Sequence, residues 1–86
     1  MPPSLLEEIE ARVLRASGSD SRVSYIKAEI ERISDEWERE GFLVRYNEME
    51  DAIIVVPLTN GWLNNKILDE LRLVSVYNDG VFYLYR

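Results

Sequence analysis

The sequence predicts an α+β domain in which a helical hairpin is combined with a four-stranded antiparallel sheet, in the order α-α-β-β-α-β-β. Three observations lead to this fold class. Apolar residues recur at helical spacing before residue 40, they alternate or run continuously after residue 41, and glycine-containing turns separate the segments. The chain has 86 residues, which is the size of one domain. We therefore expect residues 1–86 to form a single small domain.

Two helices are expected in the first half of the chain. Ser4 and Glu7 have the spacing of a capping box, and apolar residues follow at three-and-four intervals, which predicts a helix over residues 4–16. The polar segment 17–20 contains a glycine and predicts a short turn. A second helix is expected to end at Gly41. Its apolar positions form a heptad-like seam, which consists of Val23, Ile26, Ile30, Ile33 and Trp37.

A β-hairpin is expected after this helix. Residues 42–46 alternate in character, and residues 52–56 are five consecutive apolar residues, so each segment predicts a strand. Because the second strand has no polar face, we expect it to be central in the sheet and covered on both sides. Pro57 is expected to end it.

A third helix and a second hairpin complete the expected fold. Thr59 or Asn60 is the predicted cap of the helix, whose apolar face would contain Leu63, Ile67 and Leu71. Two further strands are expected over residues 73–77 and 81–85. They flank an Asn-Asp-Gly sequence in which glycine suits a three-residue hairpin loop.

The loop of this last hairpin determines which side chains share a face. A three-residue loop pairs Tyr77 with Val81 and predicts that Tyr77, Tyr83 and Tyr85 lie together, opposite Val74, Val76, Phe82 and Leu84. A two-residue turn at Asp79-Gly80 would instead pair Val76 with Tyr83 and Val74 with Tyr85. Three tyrosines on one face predict either packing against a helix or a contact surface for a protein or for single-stranded bases.

The composition argues against an enzyme. The chain contains no cysteine and no histidine, so Ser-His-Asp and Cys-His arrangements, thiol redox chemistry and standard zinc sites are absent from it. Neither GxGxxG nor GxxxxGK[ST] occurs. We therefore expect no catalytic activity and no cofactor.

The charge of the chain favours a cationic partner. The net charge is −6, and residues 35–51 hold seven carboxylates against two arginines, a net charge of −5. Such a balance opposes binding to phosphates or anionic lipid head groups and favours a basic protein partner. Residues 1–4 have no basic and apolar leader pattern, and no apolar run approaches the length of a membrane span. We expect a cytoplasmic location.

Three carboxylates of this acidic segment lie in the loop of the first predicted hairpin, at Glu48, Glu50 and Asp51. Carboxylate oxygens are ligands for Mg²⁺ or Ca²⁺, which makes an acidic, metal-dependent hydrolase a third candidate function. The loop lacks the spacing of an EF-hand. We therefore predict no metal site and assign these residues to partner binding.

The second predicted helix, the sequence Gly41-Phe42-Leu43-Val44-Arg45 and the hairpin after it resemble the recognition helix and wing of winged-helix proteins. That resemblance covers about half of the chain and implies a module that binds nucleic acid. The helix and the loop carry carboxylates where that function needs phosphate-binding side chains. A winged-helix-like nucleic-acid-binding module is therefore the alternative, and nucleic acid is not the partner we expect.

The sequence as a whole predicts a non-catalytic interaction or regulatory protein that forms homo-oligomers. Self-association is expected because a small domain carries a heptad-like seam, a fully apolar strand and a terminal hairpin with an open edge. The predicted partner-binding residues belong to the acidic loop and to the last hairpin: Glu48, Glu50, Asp51, Tyr77, Tyr83 and Tyr85.

Overall fold

The computed structural model describes residues 5–9 and 22–85. The helices are α1 (Leu5–Ile9), α2 (Arg22–Arg39) and α3 (Asn65–Val74), with a 3-10 turn at Gly61–Leu63 before the last of them. The strands are β1 (Phe42–Asn47), β2 (Ala52–Pro57), β3 (Val76–Asn78) and β4 (Val81–Tyr85). This order confirms the predicted α+β fold class. The expected helix over residues 10–16 and the turn at 17–20 lie outside the described residues.

The four strands form one antiparallel sheet in the order β1-β2-β4-β3. β2 is an interior strand, as predicted, because it pairs with β1 on one side and with β4 on the other. Val55 lies opposite Val44 of β1 and Phe82 of β4. Successive residues of a strand point to opposite faces, so this register assigns every strand residue to one of two faces.

One face of the sheet is covered by the described helices. Its strand residues enter a single buried cluster with the apolar side chains of α1, α2 and α3. From the strands the cluster contains Phe42, Val44, Ile53, Val55, Phe82 and Leu84. From the helices it contains Leu5, Leu6, Ile9, Ile26, Ile30, Ile33, Trp37, Ile67, Leu68 and Leu71. The described part of the protein is therefore a two-layer structure with one core.

Four of the five seam residues of α2 belong to this core, and Val23 is half-buried outside it. Ile26 is 1% exposed and Trp37 is 6% exposed, and the Trp37 indole N–H donates a hydrogen bond to the Glu8 carboxylate of α1. The helix ends as predicted at Gly41, whose φ of +96° is in the left-handed region and whose N–H donates to the Glu38 carbonyl at 3.0 Å. Because the sheet and α1 cover the seam, it does not present a surface for a coiled-coil partner.

Within residues 5–9 and 22–85, helices cover only one of the two sides of β2, although the sequence predicts that both are covered. Ile53 and Val55 are buried in the core, but Ile54 and Val56 point to the other face and are half-buried. None of the described helices packs on that face. The continuous apolar run therefore arises because both faces of β2 are apolar, although the described helices cover only one of them.

The third helix begins later and ends later than predicted. Its N-cap is Asn64, whose side-chain oxygen accepts the Ile67 N–H at 3.2 Å, in place of Thr59 or Asn60. Leu63 lies in the preceding 3-10 turn and is 79% exposed. The helix continues to Val74, which shortens the strand predicted over residues 73–77. Helix capping and the burial of α3 prevail over the strand propensity of residues 73 and 74.

A close backbone approach holds the 3-10 turn against the start of β1. The Leu58 N–H donates to the Gly41 carbonyl at 2.7 Å. A Cβ atom on Gly61 would lie 2.1 Å from that same carbonyl oxygen. Glycine is therefore required at position 61 by space, because any larger residue would collide with the backbone of Gly41.

The last hairpin has the two-residue turn. Val76 lies opposite Tyr83, and Tyr77 lies opposite Phe82, so Asp79 and Gly80 form the turn, both with positive φ. The predicted three-residue loop is wrong. Two consecutive residues with positive φ suit the twist of a tight hairpin, and an Asp-Gly pair supplies them. The one-residue difference in register moves Tyr77 to the opposite face from Tyr83.

Candidate functional site

The face of the sheet without a helix layer is the most distinctive surface of the described residues, and we call it the open face. Four strands contribute to it, and eight of its eleven side chains are apolar or aromatic. The open face consists of Leu43, Arg45, Asn47, Ala52, Ile54, Val56, Val76, Asn78, Val81, Tyr83 and Tyr85. Arg45 is the one charged side chain that the described strands place on it.

An antiparallel sheet can fold without apolar side chains on the face that no helix covers. Sheets with one face in contact with solvent normally alternate apolar and polar residues. Here β2 and β4 have Ile54, Val56 and Val81 at positions where such sheets normally have polar side chains. Contiguous apolar surface on a monomer commonly marks a binding site. The composition of this face therefore points to contact with another molecule.

The register aligns one row of open-face side chains across all four strands. Arg45 of β1 lies opposite Ile54 of β2, Ile54 lies opposite Tyr83 of β4, and Tyr83 lies opposite Val76 of β3. Cross-strand neighbours stand close enough for direct side-chain contact. The row therefore presents a cation at one end, a tyrosine near the other and aliphatic side chains beside each of them.

Two of the predicted tyrosines lie on this face and contact each other. The rings of Tyr83 and Tyr85 are stacked, with centroids 6.2 Å apart and an interplanar angle of 13°. Tyr85 is 49% exposed, and Tyr83 is half-buried. Their side chains point to the face of the sheet away from Phe82 and Leu84 of the same strand, as predicted. The pair supplies flat aromatic area and two hydroxyl groups, which suits contact with a protein.

The third tyrosine does not belong to this pair. Tyr77 lies on the other side of the sheet, where its ring centroid is 4.9 Å from that of Phe82 and 6.3 Å from that of Trp62. It is 53% exposed at the edge of the sheet. The prediction that all three tyrosines share one face is therefore wrong, because the hairpin has the shorter turn.

The three predicted carboxylates form the tip of the β1–β2 hairpin, and local contacts order this tip. Glu48 pairs with Lys27 of α2. The Tyr46 hydroxyl donates to Asp51 at 2.6 Å, and the Glu50 N–H donates to the Asn47 side-chain oxygen at 3.2 Å. Within residues 5–9 and 22–85, no cluster of potential ligands is arranged to hold a metal ion.

The acidic segment is not one continuous surface. Its hairpin carboxylates lie beside Lys27, near the start of α2, whereas Asp35 to Glu40 lie at the end of that helix. The six residues of β1 separate the two groups, and a strand of that length spans about 20 Å. The net charge of −5 is therefore divided between opposite ends of the sheet.

The acidic tip lies at the same end of the sheet as the tyrosine pair. The tip leads directly into Ala52, which lies opposite Tyr85 in the β2–β4 pairing. The fold thus brings Glu48, Glu50 and Asp51 to the end of the open face where Tyr85 lies. Five of the six predicted binding residues are grouped in this way, and Tyr77 is separate.

The sequence reasoning missed the aliphatic part of the open face and its arginine. The sequence pattern places Leu43, Ile54 and Val56 in the first hairpin. It assigns Arg45 to the charge balance and to the winged-helix-like segment, and it does not indicate that these residues share a face. The uninterrupted apolar run of β2 was the available signal. It indicates two apolar faces, but it does not specify which of them receives helices.

Comparison with known proteins gives no further assignment, since no family model, curated protein or solved structure matches this chain. None of the helices in the described ranges has the length and apolar character required to cross a bilayer.

Proposed function

We propose that this protein is a non-catalytic interaction or regulatory module that binds a protein partner through the open face. The observation that carries the proposal is an apolar sheet face that the described helices leave uncovered. Its tyrosine pair and Arg45 are residue types that concentrate binding energy in protein interfaces. Within the described residues, no side chain of this face belongs to the buried core cluster.

The chemistry of the site indicates which kind of protein element would bind there. An apolar helix face or strand would cover the aliphatic row, and a carboxylate on it would meet Arg45. Basic groups at the end of that element would approach Glu50 and Asp51 of the acidic tip. The partner is therefore amphipathic, with an apolar centre and a cationic end. A cytoplasmic location fits a chain without cysteine.

The experiment is a quantitative capture of partners from the native host, with mass spectrometry to identify them. The test variant carries Tyr83→Ser and Tyr85→Ser. The matched control is Tyr25→Ser, because Tyr25 is 47% exposed on α2, on the layer that lies away from the open face. Thermal unfolding of each variant shows whether the fold is retained.

We expect the double tyrosine variant to lose a partner that the wild type and the Tyr25→Ser variant both retain. The partner, once identified, is then titrated against Arg45→Glu, for which we expect at least a tenfold loss of affinity, equivalent to about 1.4 kcal/mol. Equal capture by all variants, or a loss explained by unfolding, would contradict binding at the open face. Self-association, which the sequence also predicts, is assigned below to the edge strand β3, of which Val76 and Asn78 also belong to the open face.

A further inference from the structure

The second exposed apolar surface surrounds β3, which is an edge strand of the sheet. All three residues of β3 are exposed, and within the described residues no strand pairs with its outer edge. We call the apolar side chains around it the edge patch. Its members and their exposed fractions are Trp62 37%, Leu73 86%, Val74 48%, Val76 57% and Tyr77 53%.

The two edges of the sheet differ in their protection. Edge strands are commonly protected by charged side chains or proline, which disfavour pairing with another chain. The β1 edge carries Arg45 and is packed against α2. The sequence of β3, Val-Tyr-Asn, has neither a charge nor a proline. Its backbone is therefore the one that is chemically suited to continue the sheet.

We infer that a second copy of this chain occupies the edge patch, by antiparallel pairing of β3 with β3 of the partner subunit. A twofold axis imposes a fixed register on such a pair, because each contact must occur twice. The register that uses all three residues is centred on Tyr77. It places Tyr77 opposite its own counterpart and Val76 opposite Asn78 of the partner subunit, and aromatic pairs across strands are favourable.

The size of the patch sets an upper bound on the dimer interface. At these exposed fractions the five side chains present about 500 Å² per copy, so two copies would bury at most about 1,000 Å², which is the lower limit for a specific interface. Such an area predicts a dimer of modest affinity. Backbone hydrogen bonds between the two edge strands add to the apolar contact.

The distribution of charge also favours this edge for self-association. Two copies with a net charge of −6 repel each other when their acidic regions meet. Residues 62–79 hold two basic and three acidic side chains, a net charge of −1, and two of these charges, Arg72 and Asp69, pair with each other at 3.2 Å. The edge patch therefore offers approach with little repulsion.

Pairing at this edge has a consequence for the open face. A twofold axis perpendicular to the sheet keeps both open faces on the same side, so the dimer has an eight-stranded sheet with one continuous open surface. The inference does not rest on the proposed function, because it depends on the backbone of β3 and on Tyr77, which is not part of the open face.

The first experiment measures the mass of the full chain by light scattering and sedimentation, from about 10 to 500 µM, the range for modest affinity. The wild type is expected to rise from 10.1 kDa toward twice that value with increasing concentration. The variant Tyr77→Glu is expected to remain monomeric, because it places two carboxylates opposite each other at the twofold axis, and Tyr77 is not part of the open face. Met49→Glu is the control, since Met49 is 97% exposed at the hairpin tip, and it is expected to dimerise normally.

The second experiment tests the register. The chain has no cysteine, so Tyr77→Cys introduces one thiol per copy at the twofold axis, within the distance that a disulfide spans. Mild oxidation is expected to cross-link this variant several-fold faster than Met49→Cys at equal concentration. Equal cross-linking rates would contradict the register.

Two results would overturn the inference. One is a wild-type chain that stays at 10.1 kDa at every concentration. The other is a dimer that persists in Tyr77→Glu but dissociates in the variant with Tyr83→Ser and Tyr85→Ser. That second result assigns self-association to the open face and leaves the proposed binding surface intact, so the two proposals fail separately.

Discussion

The two faces of the sheet have similar chemistry and different environments. Along β4, Phe82 and Leu84 are 0% and 2% exposed beneath the helices, whereas Tyr83 is half-buried and Tyr85 is 49% exposed on the open face. Both faces are rich in apolar side chains. The difference shows that hydrophobicity of a strand does not identify the face that forms the core, because that depends on where the helices pack.

The comparison also separates stability from recognition. Side chains of the covered face are surrounded by other residues, so their removal leaves a cavity. Among the described residues, most side chains of the open face are half-buried or exposed, so their removal leaves less enclosed space. Substitutions on the covered face should therefore mainly lower stability, whereas substitutions on the open face should mainly weaken binding.

The largest effect on stability is expected from Phe82 of β4, in comparison with its neighbour Tyr83 on the open face. Phe82→Ala is expected to lower the free energy of unfolding by about 3 to 5 kcal/mol, the usual cost of truncating a buried aromatic residue. Tyr83→Ala should cost about 1 kcal/mol, since it loses partial burial and a stacking contact. Urea unfolding of both variants measures the difference. Equal losses would mean that the open face is as important to the core as the covered face.

A smaller effect is expected where the covered face meets the 3-10 turn. Gly61→Ala places a Cβ against the Gly41 carbonyl and is expected to cost about 1 to 3 kcal/mol, as overpacking does. Trp62 follows this glycine and contacts Phe82, with ring centroids 6.1 Å apart, so its fluorescence should change as well. Thermal unfolding and emission spectra measure both effects. An alanine variant with wild-type stability would show that this backbone approach is not close.

A still smaller effect is expected at the acidic tip. Lys27→Ala removes the ion pair with Glu48, in which both side chains are about half exposed. An exposed pair contributes about 0.2 to 1 kcal/mol, and salt screens it. Chemical denaturation at low and high salt should show a loss that nearly disappears at high salt. A large loss that salt does not reduce would show that the tip is held by packing.

The smallest expected effect is on nucleic-acid binding. We expect no gel shift with duplex DNA at about 150 mM salt, because the net charge opposes contact with phosphates. A single-stranded RNA tested in parallel shows whether the tyrosine pair binds bases. Among the described strand residues of that face, Arg45 is the one cation available to such a ligand. Binding that is lost in the double tyrosine variant would support the nucleic-acid alternative and contradict our choice of a protein partner.

The three arginines on either side of the predicted turn at residues 17–20 provide a further control for that experiment. Arg12 and Arg15 lie outside the described residues, and Arg22 begins α2. Replacement of the three by Ala should leave the result unchanged. If the wild type binds duplex DNA and this variant does not, the site lies there, and the open face remains available for a protein.

Much of the fold was predictable because local patterns agree with it. Leu84 and Phe82 alternate with the tyrosines of β4, and the seam of α2 has helical spacing, so each pattern indicates its element directly. The end of α2 at Gly41 was also predictable, since glycine readily adopts positive φ. The boundaries of α3 were not, because Asn60 and Asn64 are both suitable caps and packing determines which one is used.

The candidate site was predictable only in part. Tyr83 and Tyr85 were correctly placed on the face away from Phe82 and Leu84, because the alternation of side chains along one strand does not depend on the turn. Tyr77 was misplaced, since one residue more or less in a hairpin loop reverses the face of the whole neighbouring strand. The charges of residues 35–51 were counted correctly, but their position at two ends of the sheet depends on how α2 packs.

The sequence by itself determined the type and order of the elements, the acidic balance of the chain and the alternation within each strand, because these depend on residues close together in the chain. Only the tertiary structure decided that Ile54 and Val56 lie on an open face, that Tyr77 is separated from Tyr83, and that β3 is an edge. These properties depend on strand register and on helix packing, which are set by contacts between distant segments. Short-range periodicity is the same whether such a face is covered or exposed.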